Sequence, residues 1–232
     1  MQRHYPDAAR GILSLIAAAS LTSGAAAMPP MGGEMKHIEV MLEDTSIHLM
    51  LEDPGPLVLQ TYGEEYEGPA AVLNGTAFNS QYGWMAGGFW TLPPGGTVWV
   101  ELLDVTPGLR CYEAMTFLPI FGTEGSSPLW QWSGIMVHNW YAASVPGAYE
   151  ATYRVFVADR KGVPLPDYIP AEVTLTWIFD GVAGDLDGDG GVGASDLAIL
   201  LGAWGTPDPR ADLNGDGTVN AADLAQLLGA WG

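Results

Sequence analysis

Residues 185–196 read DLDGDGGVGASD, and residues 212–223 repeat this pattern as DLNGDGTVNAAD. Each copy continues into an apolar tail, LAILLGAWG at 197–205 and LAQLLGAWG at 224–232. Self-similarity at a fixed spacing marks a repeated structural unit, and two copies in register are hard to obtain by chance. We therefore interpret the C-terminal end of the chain as two successive loop–helix repeats.

The acidic side chains in each copy alternate in the manner that hard cations require. Ca²⁺ takes roughly six to eight oxygen ligands, which a loop of about twelve residues supplies from positions 1, 3, 5, 7, 9 and 12. Gly190 and Gly217 stand at position 6, where a sharp turn needs a permissive backbone. Gly191 and Thr218 offer backbone carbonyls at position 7, whereas Gly193 offers no side chain at position 9. The sequence therefore predicts two Ca²⁺ ions. The predicted ligands are Asp185, Asp187, Asp189, Gly191, Asp196, Asp212, Asn214, Asp216, Thr218, Asn220 and Asp223.

A short helix is predicted after each loop. Apolar residues at offsets of three, four and seven place one apolar face on each helix, and the two faces are expected to pack together. Val192 and Val219, at loop position 8, are suited to an apolar contact between the loops. The carboxylates repel one another when no cation is present, so metal binding is expected to drive folding. The helix-face residues are Leu197, Leu200, Leu201 and Trp204, then Leu224, Leu227, Leu228 and Trp231.

These repeats resemble a type I dockerin, a family of two loop–helix repeats of the F-hand kind with Asp at loop position 12. The resemblance covers about residues 184–232 and implies two Ca²⁺ ions and a cohesin partner, often in assemblies that degrade polysaccharides. It also implies that partner contacts begin at loop positions 10 and 11. The helices lack the basic residues usual in cellulosomal members, and both end early in GAWG. The implied partner-binding residues are Ala194, Ser195, Ala221 and Ala222.

Residues 28–180 alternate between apolar and polar side chains over short segments separated by Gly and Pro turns. Residues 37–43 and 47–52 are predicted to form a hairpin around Asp44 and Thr45. Regularly spaced strands without a sustained helical period favour an antiparallel β-sandwich. A short linker, residues 181–184, is expected before the helical calcium-binding domain at 185–232. The segment 62–92 fits either the sandwich or a long loop packed over it.

Composition narrows the function classes. The 232 residues carry 8 basic and 27 acidic side chains, for a net charge of −19, so a nucleic-acid surface is excluded. The lone Cys111 excludes an intrachain disulfide. Residues 1–27 combine Arg3 and Arg10, a short apolar run and a final AAA, which is typical of a secretory signal peptide. We therefore expect an extracellular or cell-surface protein.

Three histidines are candidate metal ligands. With a two-residue turn at Asp44 and Thr45, His48 lies opposite Met41 and several pairs from His37, so these two histidines are not expected to share a site within the hairpin. Residues 136–140 and 146–149 resemble cell-surface β-sandwich repeats with an HxHxNW…PGxY pattern, although Val137 stands where the pattern has its second His. Hydrogen-bonded surface histidines are the favoured interpretation of His37, His48 and His138.

Catalysis has little support in the sequence. The paired acids at 43–44, 52–53 and 64–65 all lie at predicted turns, and there is no G-x-S-x-G motif. The favoured function is a non-catalytic β-sandwich displayed or assembled through a calcium-dependent dockerin-like module. A carbohydrate-binding or carbohydrate-active domain in a polysaccharide-degrading assembly, acting on O-glycosyl bonds if an enzyme, is the alternative. A row of exposed aromatics would favour that alternative, and converging histidines would favour a surface metal-binding protein.

Overall fold

A computed structural model describes residues 28–187, 190–208 and 210–232. The predicted signal peptide and Asp189 lie outside these residues. The chain is mainly β, with two helices at the C-terminal end, as the sequence predicts. The strands are β1 Lys36–Glu43, β2 Ser46–Leu51, β3 Leu57–Leu59, β4 Ala77–Asn79, β5 Tyr82–Ala86, β6 Thr97–Val105, β7 Arg110–Tyr112, β8 Pro119–Ile120, β9 Leu129–Trp132, β10 Val137–His138, β11 Trp140–Ala143, β12 Gly147–Ala158 and β13 Ala171–Phe179. The helices are α1 Ala194–Gly202 and α2 Ala221–Gly229, and 3₁₀ turns span Gly68–Leu73 and Thr123–Gly125.

The strands form three sheets of four, four and five strands. Their orders are β10-β5-β1-β2, β4-β11-β7-β8 and β3-β13-β12-β6-β9. Most pairs are antiparallel, as predicted, but β1 with β5 and β3 with β13 are parallel. Long connections separate the strands of each parallel pair along the chain, and such a pair needs a crossover connection instead of a hairpin.

The first hairpin follows the predicted register. Leu42 pairs with Ile47 and Met41 with His48, so that Asp44 and Thr45 form the turn. Asp44 has a φ of 52°, a left-handed conformation that Asp tolerates better than most residues. The predicted hairpin is therefore confirmed, and His48 projects from the face opposite the core.

Aromatic side chains fill the core between the sheets. Trp84 contacts Tyr153, and Trp177 contacts both Tyr82 and Tyr141, with ring centres 4.5 to 5.6 Å apart. These five rings come from all three sheets and are at most 1% exposed. They therefore join the sheets into one core. Such aromatic pairs stabilise the fold beyond the effect of the apolar area that they bury.

The segment 62–92 is part of this core and not a covering loop. It contains the 3₁₀ turn Gly68–Leu73 and strands β4 and β5. Phe78 contacts Tyr62, Tyr66 and Trp140 in a second apolar cluster beside the main one. The high content of Gly and aromatic residues in this segment reflects its short strands and tight turns, with large side chains buried between them.

We call residues 28–180 the β-region. The C-terminal repeats pack against it through the contacts of Val145 and Gly75. Val145 contacts the apolar cluster of the repeats. The Arg210 side chain lies where a Cβ at Gly75 would stand, so a larger residue there would have to displace it. A cavity of about 440 Å³ lies between the two parts, bordered by Tyr62, Phe179 and Asp187 among others. The first loop therefore faces the β-region at one edge.

Candidate functional site

Three carboxylates of the first loop converge. Oxygen atoms of Asp185, Asp187 and Asp196 all lie within 4.8 Å of one another, the only such acidic or histidine group of three within the described ranges. Asp185 comes from the start of the loop and Asp196 from the first turn of α1. Hard oxygen donors gathered this closely suit Ca²⁺. Asp189, the third predicted side-chain ligand of this loop, is outside the described residues.

The second loop is held by its own side chains. Asp212 accepts hydrogen bonds from the N–H groups of Asp216, at 3.1 Å, and Gly217, at 2.8 Å. The side-chain amides of Asn214 and Asn220 donate hydrogen bonds to Asp216 Oδ2 at 3.0 and 3.2 Å. These contacts hold the loop in a fixed conformation, but among the described residues Asp212, Asp216 and Asp223 do not form a converging group like that of the first loop. The Thr218 carbonyl accepts from the Asn220 amide at 2.8 Å.

Asp196 and Asp223 close their loops in the same way. Asp196 accepts from the N–H groups of Leu186 and Gly193, each at 2.6 Å. Asp223 accepts from Asn214 at 3.1 Å and Asn220 at 2.7 Å. Burial alone would raise the pKa of Asp196, but its backbone N–H donors outweigh this and hold the pKa below the ordinary value. Asp196 therefore keeps its negative charge at neutral pH, as a carboxylate that holds a cation must.

The helix face differs in part from the sequence prediction. Leu200 and Leu227 are fully buried and share a cluster with Val192 and Val219. Leu201, Trp204, Leu228 and Trp231 are instead 45 to 52% exposed, so the prediction of one buried face per helix is wrong for these four. The physical reason is that the loop valines with Ala203, Ala211 and Leu213 already fill the space between the helices. In addition, Trp204 and Trp231 lie beyond the helix ends at Gly202 and Gly229.

The four predicted partner-contacting residues lie on the surface. They start the two helices and are all exposed, as are the four large apolar side chains near the helix ends. We call these eight residues the docking face. Its members are Ala194, Ser195, Leu201, Trp204, Ala221, Ala222, Leu228 and Trp231.

Comparison with known proteins identifies this part of the chain. Residues 183–229 match the dockerin type I domain. The resemblance inferred from the loops is thereby confirmed, and we call residues 183–229 the dockerin segment. Dockerin domains bind calcium and a protein partner, cohesin, so this segment indicates a module for calcium-dependent assembly. No curated protein matches the sequence.

The β-region offers no row of exposed aromatic rings. Trp84, Trp132, Trp140 and Trp177 are at most 5% exposed, and the other three tryptophans between residues 28 and 180 are partly buried. Most of the β-region tryptophans therefore contribute to packing and do not form a binding surface. No helix among the described residues is long and apolar enough to cross a bilayer.

The histidines are arranged differently from the sequence expectation. His48 is a surface residue, with its side chain 52% exposed and 3.9 Å from Glu43. His37 and His138 lie side by side, with ring centres 5.4 Å apart. Sequence patterns could not predict this contact, because it depends on the strand order β10-β5-β1. Of the paired acids, Glu52 accepts a hydrogen bond from His37.

Proposed function

We propose that this chain is an extracellular protein whose non-catalytic β-region is displayed or assembled through a calcium-dependent dockerin segment. In this proposal residues 28–180 form the display domain, residues 181–184 the linker and residues 185–232 the calcium-binding domain. The observation that carries it is the pair of matched loops, each closed by an aspartate that belongs to the first turn of a helix. Export is supported by the basic and apolar pattern of residues 1–27.

Two Ca²⁺ ions are proposed, one in each loop. In the first loop the side chains of Asp185, Asp187 and Asp196 supply oxygen ligands, with Asp189 and the Gly191 carbonyl completing the set. In the second loop Asp212, Asn214, Asp216 and Asp223 do so, with the Thr218 carbonyl and Asn220. The bound ion neutralises the clustered charge, and this allows the helix N-termini to remain anchored to the loops.

The partner is proposed to be a cohesin-like protein that covers the docking face. Ala194, Ser195, Ala221 and Ala222 are small, and this lets a partner surface approach the helices closely. Trp204 and Trp231 are half-exposed and repeat at equivalent positions. Tryptophan is enriched among the residues that dominate binding energies at interfaces, so these two side chains are suited to be anchors.

A binding experiment with a matched control tests the docking face. Residues 28–232 are passed over immobilised cohesin modules in Ca²⁺ and in chelator, alongside the variant Ser195→Asp with Ala222→Asp. We expect binding in Ca²⁺ alone and its loss in the variant, because two carboxylates would be forced into the interface. Thr91→Asp, an exposed change in the β-region, is the control. Equal binding by all three proteins would contradict the proposed face.

The alternative, a carbohydrate-active domain, has a direct test of its own. Polysaccharides are incubated with residues 28–232 and the release of reducing ends is measured. No turnover is expected, since the paired acids lie at strand ends and in loops and the β-region tryptophans are at least partly buried. Turnover that disappears on replacing a single carboxylate would show that the β-region is a glycoside hydrolase.

A further inference from the structure

Two imidazoles meet on the outer face of the first sheet. His37 on β1 pairs with Gly83 on β5, and Gly83 pairs in turn with His138 on β10. Because Gly83 has no side chain, the two histidines are neighbours across it. A Cβ at Gly83 would overlap Nε2 and Cε1 of His138. The glycine therefore opens the space in which the two rings approach.

The hydrogen bonds of both rings fix which nitrogen carries a proton. His138 Nδ1 lies 3.1 Å from the carbonyl oxygens of Ser80 and Gln81. His37 Nδ1 lies 3.0 Å from the Glu52 carboxylate. Carbonyls and carboxylates only accept, so Nδ1 is the donor in each ring and, in the neutral imidazole, Nε2 keeps its lone pair.

Both Nε2 atoms are buried and have no hydrogen-bond partner within the described structure. A buried acceptor without a partner costs free energy, so two of them side by side need an explanation. Histidines that bind metals characteristically donate the other ring N–H to a carboxylate or a backbone carbonyl, which orients the ring and fixes the tautomer. Glu52 and the Ser80 and Gln81 carbonyls provide both kinds of support.

The separation of the rings suits one shared ion. A metal–imidazole bond of about 2.0–2.1 Å places two ring centres roughly 5.2–5.5 Å apart when the nitrogen–metal–nitrogen angle is between about 109° and 120°. The observed separation is 5.4 Å with the ring planes 78° apart. We propose that His37 and His138 bind a single late first-row transition-metal ion through their Nε2 atoms.

The adjoining surface offers further ligands of two kinds. His37 lines a cavity of about 360 Å³ together with Glu39, Met50 and Met85. Thioether sulfur favours Cu(I), whereas a carboxylate beside two imidazoles favours Zn²⁺. Both ions share the chemistry of imidazole binding, and the contribution of Met85 or Glu39 distinguishes them.

The test measures metal binding to residues 28–232 with saturating Ca²⁺ present, so that the dockerin loops are occupied. Zn²⁺ and Cu(I) are supplied separately in competition with chromophoric chelators. We expect one ion bound per chain, with affinity at least tenfold lower in His37→Gln and in His138→Gln. His48→Gln is the matched control, since this histidine is exposed on the same hairpin, and its affinity should not change. A loss of Cu(I) affinity in Met85→Leu would identify copper as the ion, and a loss of Zn²⁺ affinity in Glu39→Gln would identify zinc.

A second measurement does not depend on the variants folding. Long-range ¹H–¹⁵N spectra of the unaltered protein report each histidine ring nitrogen before and after metal addition. We expect the Nε2 signals of His37 and His138 to move together at one equivalent while those of His48 stay in place. No binding of either ion, or binding that moves His48 and leaves the other two unchanged, would overturn the proposal.

Discussion

The N–H of Gly205, just after α1, donates to the carbonyl of Val219 in the second calcium loop at 2.8 Å. The reverse contact joins Gly232, beyond α2, to Val192 in the first loop at 3.4 Å. Each loop is therefore tied to the C-terminal end of the other repeat. Because of these bonds, ordering one loop also stabilises the helix of the other repeat. We therefore expect the dockerin segment to fold as one cooperative unit.

The core of that unit rests on a few side chains. Replacing Leu200 by Ala should lower the free energy of unfolding of the dockerin segment by about 2–5 kcal/mol, because a fully buried side chain leaves a cavity. Leu201→Ala, one residue on and 51% exposed, should change it by less than about 0.5 kcal/mol. Urea unfolding in Ca²⁺, followed by tryptophan fluorescence, compares the two. Equal losses would show that α1 packs through another face.

The number of calcium ions can be counted loop by loop. Asp223→Ala removes the carboxylate that accepts from Asn214 and Asn220, and Asp196→Ala removes its counterpart in the first loop. Calorimetric titration should give two ions for the unaltered chain and one for each variant. Asp180→Ala, an exposed change before the dockerin segment, should leave both ions bound. A variant at position 223 that still binds two ions would rule out Asp223 as a necessary ligand.

The repeated docking face predicts a specific pattern of binding losses. Trp204 and Trp231 occupy equivalent positions after the two helices and are 46% and 45% exposed. A partner could bind this face in either of two orientations, so Trp204→Ala or Trp231→Ala alone should weaken cohesin binding only slightly. The double variant should lose about tenfold or more, as expected for anchor residues. A tenfold loss in one single variant, with none in the other, would indicate one fixed orientation.

Local sequence patterns predicted a large part of this molecule. The converging carboxylates of the first loop, the short helices and the hairpin at Asp44 and Thr45 depend on residues close together in the chain. The exposure of Trp204 was not predicted, because helical spacing does not show where a helix ends or what else fills its interface. The contact between His37 and His138 depends on β5 lying between β1 and β10, a long-range strand order that no local pattern encodes.

The buried histidine should make stability depend on pH. Burial is the main cause that lowers the pKa of His138, and nearby His37 lowers it further, while the Ser80 and Gln81 carbonyls oppose this. The folded state then binds fewer protons than the unfolded state, in which His138 titrates at about pH 6.5. The stabilisation is present above that pH and is lost as the pH falls below it. Glu52, which faces His37, has its pKa lowered chiefly by the His37 hydrogen bond and titrates in a more acidic range.

Urea unfolding of the metal-free protein at pH 7.5 and 5.5 tests this effect. The unaltered chain should lose more stability between these values than His138→Gln, which has no proton to gain at this position. His48→Gln should behave like the unaltered chain, since its side chain is half-exposed. A pH dependence that is the same in all three proteins would show that His138 makes no contribution.

Amide hydrogen exchange of residues 28–232 shows whether the dockerin segment depends on calcium for its fold while the β-region does not. With Ca²⁺ the amides of α1 and α2 should be protected, and in chelator they should exchange at least a hundredfold faster while those of β12 and β13 remain unchanged. Equal protection of the two helices with and without Ca²⁺ would contradict the account.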